Sequence, residues 1–444
     1  MHVIVIGAGT GGMCLAHGLR RAGVSVAVYE RDRTRADNLY GYRVGIDSTG
    51  NRALRACLPP DLFDTFVATC ARAPRFFNVL TEKRGTTASF PLRPDDDPVN
   101  SERSVSRMTL RQILLTGMED VVRFGKEFTR YESNADGTVT AHFADGTSAT
   151  GDLLVAADGT GSRVRRQYLP HAAIEDSGIV AISAKVPVTE ETRALLTPEM
   201  FHGISSVFAP GGLFCIWHVM EFKWDRDGGL KHEVGGNERE LIERWPGLLY
   251  DNTRDYINWG LSAAARRFPA GVMDLGGEEL IEVALGMTGS WHPDLRRLFA
   301  LAEPETCFPV SIRTSVPVEP WRSTNVTLLG DAIHTMTPGQ GVGANTALRD
   351  AMLLCRELAK GGPVVEAVAA YEREMIPYGF ARVQDSLARM DGDAAIHKPV
   401  IGRAVLAMTR AYFGVTDRVP ALKRKFLDDM YAYRGAEEHA VDNS

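Results

Sequence analysis

The chain opens on a short unbroken apolar run, residues 2–6 (HVIVI), that stops at a glycine. A run without polar alternation suits a strand buried on both faces. Apolar residues then recur at helical spacing over 11–22, Gly23 closes that stretch, and a second apolar run, 24–29, ends at Glu30. This pattern predicts a βαβ opening. The same strand-then-glycine pattern returns at 152–161 (DLLVAADGTG) and at 326–330 (VTLLG). Three strand ends that each carry glycine and an acidic residue predict one parallel sheet assembled from remote segments.

Between these segments the pattern changes. Residues 74–98 and roughly 176–315 alternate apolar and polar positions with Gly and Pro punctuation, as over 207–220, which predicts antiparallel strands with some helix near 236–246. Helical spacing runs from 344 through 358, again from 364 to about 390, and in further helices to 433. The last ten residues, ending in EEHAVDNS, read as disordered. The expected fold class is α/β with an α+β insert, and no internal repeat or low-complexity tract points to a solenoid.

Composition narrows the partners more than the fold. With 444 residues, 44% hydrophobic and 24% charged, the chain is long enough for two or three cores of an ordinary globular enzyme. Fifty basic residues against 56 acidic ones leave a net charge of −6 without long same-sign runs, so no nucleic-acid partner is expected. Cys14, Cys57, Cys70, Cys215, Cys307 and Cys355 are scattered singly, without a CxxC pair or His at ligand spacing, which predicts reduced thiols and no metal. Nothing approaches 18 consecutive apolar residues, so no membrane span is expected. The apolar start lacks the basic flank of a signal peptide, leaving the cytoplasm as the expected location.

The candidate chemistry begins at Gly7-Ala8-Gly9-Thr10-Gly11-Gly12, between the first strand and its helix. Gly7 permits a tight turn, Gly9 lets backbone approach a pyrophosphate, and Gly12 lets the helix lie close to the sheet. The helix N-terminus offers N–H groups to phosphates. Glu30, ending the second strand, stands where a carboxylate accepts the ribose hydroxyls of an adenosine. This motif alone leaves NAD and FAD open. The second strand end reads Asp158-Gly159-Thr160-Gly161-Ser162-Arg163, and the third Gly330-Asp331-Ala332-Ile333-His334, followed by Pro338, Gly341, Gly343 and Asn345.

Together the three motifs resemble the FAD fingerprints of class A flavoprotein monooxygenases, the para-hydroxybenzoate hydroxylase-like aromatic hydroxylases, over about residues 1–375. The resemblance implies a Rossmann-like FAD-binding domain from residues 1–73, 99–175 and 316–375, an inserted antiparallel-sheet substrate domain from 74–98 and 176–315, and a C-terminal helical region, 376–444. It implies non-covalent FAD and NADPH or NADH as transient co-substrate, since no second GxGxxG is present. Asp331 at a strand terminus suits ribityl hydroxyls, and Gly341 and Gly343 open a helix whose positive end would face the flavin N1 and C2 carbonyl. Arg107 matches a position from which the family reaches the FAD phosphate and ribityl region. Pro338 matches a proline beside the flavin face where the C4a-hydroperoxide forms. Arg43 falls in a loop matching one near the flavin ring, although a surface salt bridge is an equal reading. Arg31 reaches the adenosine or is solvated, Asp158 holds the sheet or contacts NADPH, and His334 is a structural part of its motif.

By this resemblance the chain is expected to hydroxylate or epoxidise a hydrophobic aromatic or polycyclic molecule with dioxygen, in a setting such as secondary metabolism. Phe214, Trp217, His218 and Met220, with Arg313, are the candidates facing substrate, His218 among the catalytic candidates with Pro338 and Arg43; core packing is the competing reading for each. Residues 390–433 cap the pocket or make a dimer contact, leaving monomer or homodimer open. Two rivals stay open as well: a geranylgeranyl reductase-like reductase or dehydrogenase, and a non-catalytic flavin-binding protein.

Overall fold

The computed structural model describes residues 1–34, 43–93, 97, 99–222 and 254–435. The helix expected near 236–246 and the tail from 436 lie outside them. Five strands form a wholly parallel sheet in the order Val326–Leu328, Leu153–Ala156, His2–Ile6, Ser25–Tyr29 and Val122–Arg123. Four of the five include or border the apolar runs read from the sequence, so the pattern leads directly to one sheet edge. The helices Thr10–Arg21, Arg107–Leu115 and Gly343–Ala359 pack around it, and Val3, Ile4, Val5, Leu153 and Leu154 form the centre of the first core.

A second sheet of seven strands follows the order Phe308–Ser315, Ile174–Pro187, Tyr256–Ala264, Leu213–Met220, Gly203–Ala209, Phe76–Leu80 and Thr86–Pro91. All neighbours are antiparallel except Gly203–Ala209 against Phe76–Leu80, which run parallel. The purely antiparallel expectation is corrected at that pair: the two strands come from remote segments, so no hairpin turn fixes their relative direction. A second correction concerns residues 277–300, which alternate poorly because they are helices, Gly277–Met287 and Pro293–Ala300. Gly276 and Pro293, which read as turn punctuation, stand instead at helix starts, and Leu280, Ile281 and Ala284 share the buried side. These helices cover one face of the second sheet and enclose a second core around Trp217, Trp259, Trp291 and Phe299.

The C-terminal helices Val364–Arg389, Ile401–Arg418 and Pro420–Tyr433 follow the predicted pattern. Phe413 and Phe426 of the last two pack on Phe90, the latter with ring centroids 4.5 Å apart, and so cover the edge strand Thr86–Pro91. A covered edge offers no template for intermolecular pairing. All six cysteines are free thiols.

Candidate active site

The rim of the parallel sheet gathers three loops. At the first, Gly7 has φ +106°, and a Cβ there would meet Ala157 O at 2.4 Å; a Cβ on Gly12 would meet Gly7 O at 2.3 Å. These two glycines allow backbone to lie against backbone. Gly9 differs, since a Cβ there would have only Ala157 O, at 4.0 Å, within reach. Its open side lies at the N-terminus of Thr10–Arg21 and is free to receive a phosphate. The buried Glu30 carboxylate accepts the Ala8 N–H at 2.6 Å and the Asp32 N–H at 3.0 Å, which holds the acid against the glycine loop. Asp32 in turn pairs with Arg111 at 2.8 Å, one turn along the helix that Arg107 begins. Arg31 is exposed to solvent.

The second strand end carries Asp158. Its Oδ2 accepts the Arg163 N–H at 2.9 Å at the start of helix Arg163–Tyr168, while Oδ1 is buried without a partner among the described residues. Desolvation raises the Asp158 pKa.

At the third, Gly330 donates its N–H to Asp350 Oδ2 at 2.9 Å, and His334 Nε2 lies 2.5 Å from the same oxygen. Burial alone would lower the His334 pKa, but the buried Asp350 carboxylate reverses the effect and raises it. His334 and Asp350 thereby lock the loop onto helix Gly343–Ala359, the structural role expected of His334. Asp331, the first residue of the short helix Asp331–His334, is accessible to solvent beside them. Desolvation raises its pKa, and the charges of His334 and Arg107 oppose the rise. Pro338 begins a short exposed 3-10 turn, and Gly341 follows at φ +67°, where a Cβ would meet nothing within 4 Å. Gly343 then starts the helix.

Arg43 opens a two-stranded ribbon, Arg43–Ile46 paired with Arg103–Ser106, in which it stands opposite Ser106 and therefore next to Arg107. Its Nε donates to Ser104 Oγ at 2.9 Å. Burial, with the Arg434 charge added, lowers the Arg43 pKa to about 10, which still leaves it cationic at neutral pH. Asn345 ties this ribbon to the helix: Nδ2 donates to Gly45 O at 2.9 Å and Oδ1 accepts the Asp47 N–H at 3.0 Å. Its side chain is thus occupied in positioning the ribbon.

His218 lies on Leu213–Met220, whose side chains alternate. Cys215, Trp217 and Val219 enter the second core, so Trp217 packs on Phe299 and faces away from the rim. Phe214, Ile216, His218 and Met220 occupy the other face, with Asn258 and Tyr256 beside His218 and Met220. The imidazole is buried and neither nitrogen has a hydrogen-bond partner among the described residues. Burial, and then the Arg43 charge, hold its pKa well below the ordinary value, which keeps it neutral and places Arg43 within electrostatic reach. Arg313 is exposed on the edge strand.

Several participants escape the motifs. Asp47 caps helix Ser48–Cys57 by accepting the Gly50 N–H at 3.0 Å, and burial raises its pKa to about 7. Its Asp-Ser-Thr-Gly start is a helix-cap signal, legible as structure but silent about the site. The Asp32–Arg111 pair and Asn258 carry no local signal, because each depends on a partner remote in sequence.

The sequence profile described as an FAD binding domain matches residues 291–385, and that of an NAD(P)-binding Rossmann-like domain matches residues 5–78. A solved structure from Photorhabdus luminescens, described as a putative FAD containing monooxygenase, is 33% identical with TM-score 0.74, over 87% of this chain and 97% of that one. The chain belongs to the FAD-dependent monooxygenases. A dual O-methyltransferase/FAD-dependent monooxygenase, CTB3 of Cercospora beticola, is 33% identical over 84% of this chain. The chain spans only 44% of that relative's length. The fold is shared with the Klebsiella pneumoniae HpxO structure complexed with FAD and uric acid, at 22% identity and TM-score 0.74 over 98% of this chain and 97% of that one. For a monooxygenase of this family the residues fit FAD: the open side of Gly9, the Glu30 carboxylate and the exposed Asp331 carboxylate at the end of a neighbouring strand suit a molecule of diphosphate and polyol groups.

Proposed function

We propose that the chain is an NAD(P)H-dependent FAD monooxygenase that hydroxylates or epoxidises a hydrophobic aromatic or polycyclic molecule, in a cytoplasmic setting and in secondary metabolism. Family membership supports the cofactor. The observation that carries the reading is the meeting of three remote loops at the ends of adjacent parallel strands, where a Cβ on Gly7 would meet Ala157 O at 2.4 Å and one on Gly11 would meet Leu329 Cδ1 at 2.7 Å. Bound FAD would supply the redox chemistry, taking a hydride from NAD(P)H and activating dioxygen.

The chain's own residues then have distinct tasks. Glu30 would accept the adenosine ribose hydroxyls, and the start of Thr10–Arg21, with Arg107, would hold the pyrophosphate. Asp331 would accept ribityl hydroxyls. The N-terminus of Gly343–Ala359, with Gly341 and Gly343 leaving backbone bare, would place partial positive charge at the flavin's pyrimidine edge. Pro338 would border the ring. Arg43 and neutral His218 would orient the substrate between the ribbon and the second sheet, His218 by a hydrogen bond and Arg43 by its charge. Asp158, whose buried Oδ1 has no partner among the described residues, would contact the nicotinamide cofactor. The face of this strand with Ile216 and Met220 would help exclude water.

The test is reconstitution with FAD, a screen for molecules that accelerate NAD(P)H oxidation, and product analysis under isotopically labelled dioxygen. One labelled oxygen per product is expected. An unlabelled, reduced or dehydrogenated product would establish the reductase rival, and flavin binding without substrate-stimulated oxidation the non-catalytic one.

A further inference from the structure

Seven of the ten large apolar side chains that stand exposed among the described residues lie between residues 400 and 422. Val400 is 82% and Met408 63% exposed, values that no packing within this fold explains. Ile401, Met408, Tyr412 and Val415 recur at intervals of seven, four and three, so they form one stripe along helix Ile401–Arg418. The opposite side of the same helix carries Leu406, which is buried, and Phe413, which packs on the second sheet. The helix is therefore apolar on two sides, and only one of them is covered. A contiguous apolar stripe of this kind marks an interaction surface.

Charge selects the partner. Lys398, just before the helix, and Arg418, about a quarter-turn round from the stripe, are exposed and have no carboxylate partner among the described residues; the same holds for Arg403 farther round the helix and Arg424 on Pro420–Tyr433. The acids of this region are already engaged, Asp417 with Lys423, Asp428 with Arg93 and Asp429 with Lys425. A chain of net charge −6 thus presents a locally cationic face. A second copy fits poorly. Antiparallel pairing centred on Met408 sets Arg418 in register with Lys398, and parallel pairing sets each arginine against its own counterpart, so either arrangement opposes like charges. No described helix is long and apolar enough to cross a bilayer.

We propose that helix Ile401–Arg418 docks in the plane of an anionic lipid surface, with its apolar stripe at the headgroup–acyl boundary and Lys398 and Arg418 at phosphate level. This goes beyond the oxygenase reading and does not depend on it.

The experiment is flotation of the full FAD-loaded chain with vesicles of phosphatidylcholine, alone or with about one third phosphatidylglycerol. Binding to the anionic vesicles is expected to be at least about tenfold stronger, to weaken in high salt, and to fall about fivefold for each of Lys398→Gln and Arg418→Gln. The double variant Met408→Asp/Val415→Asp is expected to lose vesicle binding while keeping its melting temperature and flavin spectrum. Protein that stays in the aqueous fraction with both vesicles overturns the proposal, as does equal binding to neutral and anionic vesicles. A dimer in light scattering that Met408→Asp dissolves, without vesicle binding by the parent chain, overturns it in favour of a second copy.

Discussion

Two glycines in one motif face opposite constraints. A methyl group on Gly12 would meet Gly7 O at 2.3 Å, so Gly12→Ala must move backbone and is expected to cost about 1–3 kcal/mol of stability, read as a lower melting temperature. Gly9→Ala meets only Ala157 O at 4.0 Å, so the protein is expected to fold with stability within about 0.5 kcal/mol of the parent while FAD affinity falls about tenfold or more. Equal losses of stability in the two variants would contradict this division. His17, buried with Nε2 2.9 Å from Leu114 O, has its pKa lowered to about 4 by burial. The unfolded chain takes up a proton at this site below its ordinary pKa of about 6.5 and the folded chain does not until about 4, so stability falls as pH drops through that window. The loss amounts to about 3 kcal/mol at most, and in His17→Gln the dependence of denaturation midpoint on pH is expected to flatten between those values. A parallel curve for the variant would exclude His17 as the source.

At the level of elements, the coupling between the Arg43 ribbon and the helix that starts at Gly343 runs through one side chain. Asn345→Ala removes hydrogen bonds to both Gly45 and Asp47 and leaves buried backbone groups unpaired, an expected cost of about 1–3 kcal/mol. Substrate-stimulated NAD(P)H oxidation is expected to fall more than FAD affinity, because Arg43 loses its fixed place; the opposite order would assign Asn345 to the cofactor. Elements announced by their own composition were legible in the sequence. The parallel strands whose runs are apolar throughout, and the helices from 343 to 433, fall close to their expected places. The helices over 277–300 were not legible, because Gly276 and Pro293 begin helices as readily as they make turns. The parallel pairing of Phe76–Leu80 and the half-buried Asp32–Arg111 contact depend on chain paths that no local pattern encodes.

Across the whole molecule, two cores divide the labour. The first surrounds the parallel sheet whose rim bears the residues proposed to hold FAD, while the second, around Trp259 and Phe299, supports only the far face of the other sheet. Phe299→Ala empties a fully buried site and is expected to cost about 3–5 kcal/mol, measured by denaturant unfolding. The surviving folded fraction is expected to keep the parent's flavin affinity, since none of the residues assigned to FAD belongs to that core; a matching loss of affinity would show the two cores acting as one.

The three loops at the sheet rim also bear on how the protein is made. Gly7 and Glu30 leave the ribosome early, yet Asp331 and Asn345 follow only after nearly the whole second core has been synthesised. Adenosine could be gripped by a nascent chain long before the isoalloxazine has anywhere to sit. Bound flavin would then be a sign of completed translation, the final latch on a chain already largely assembled.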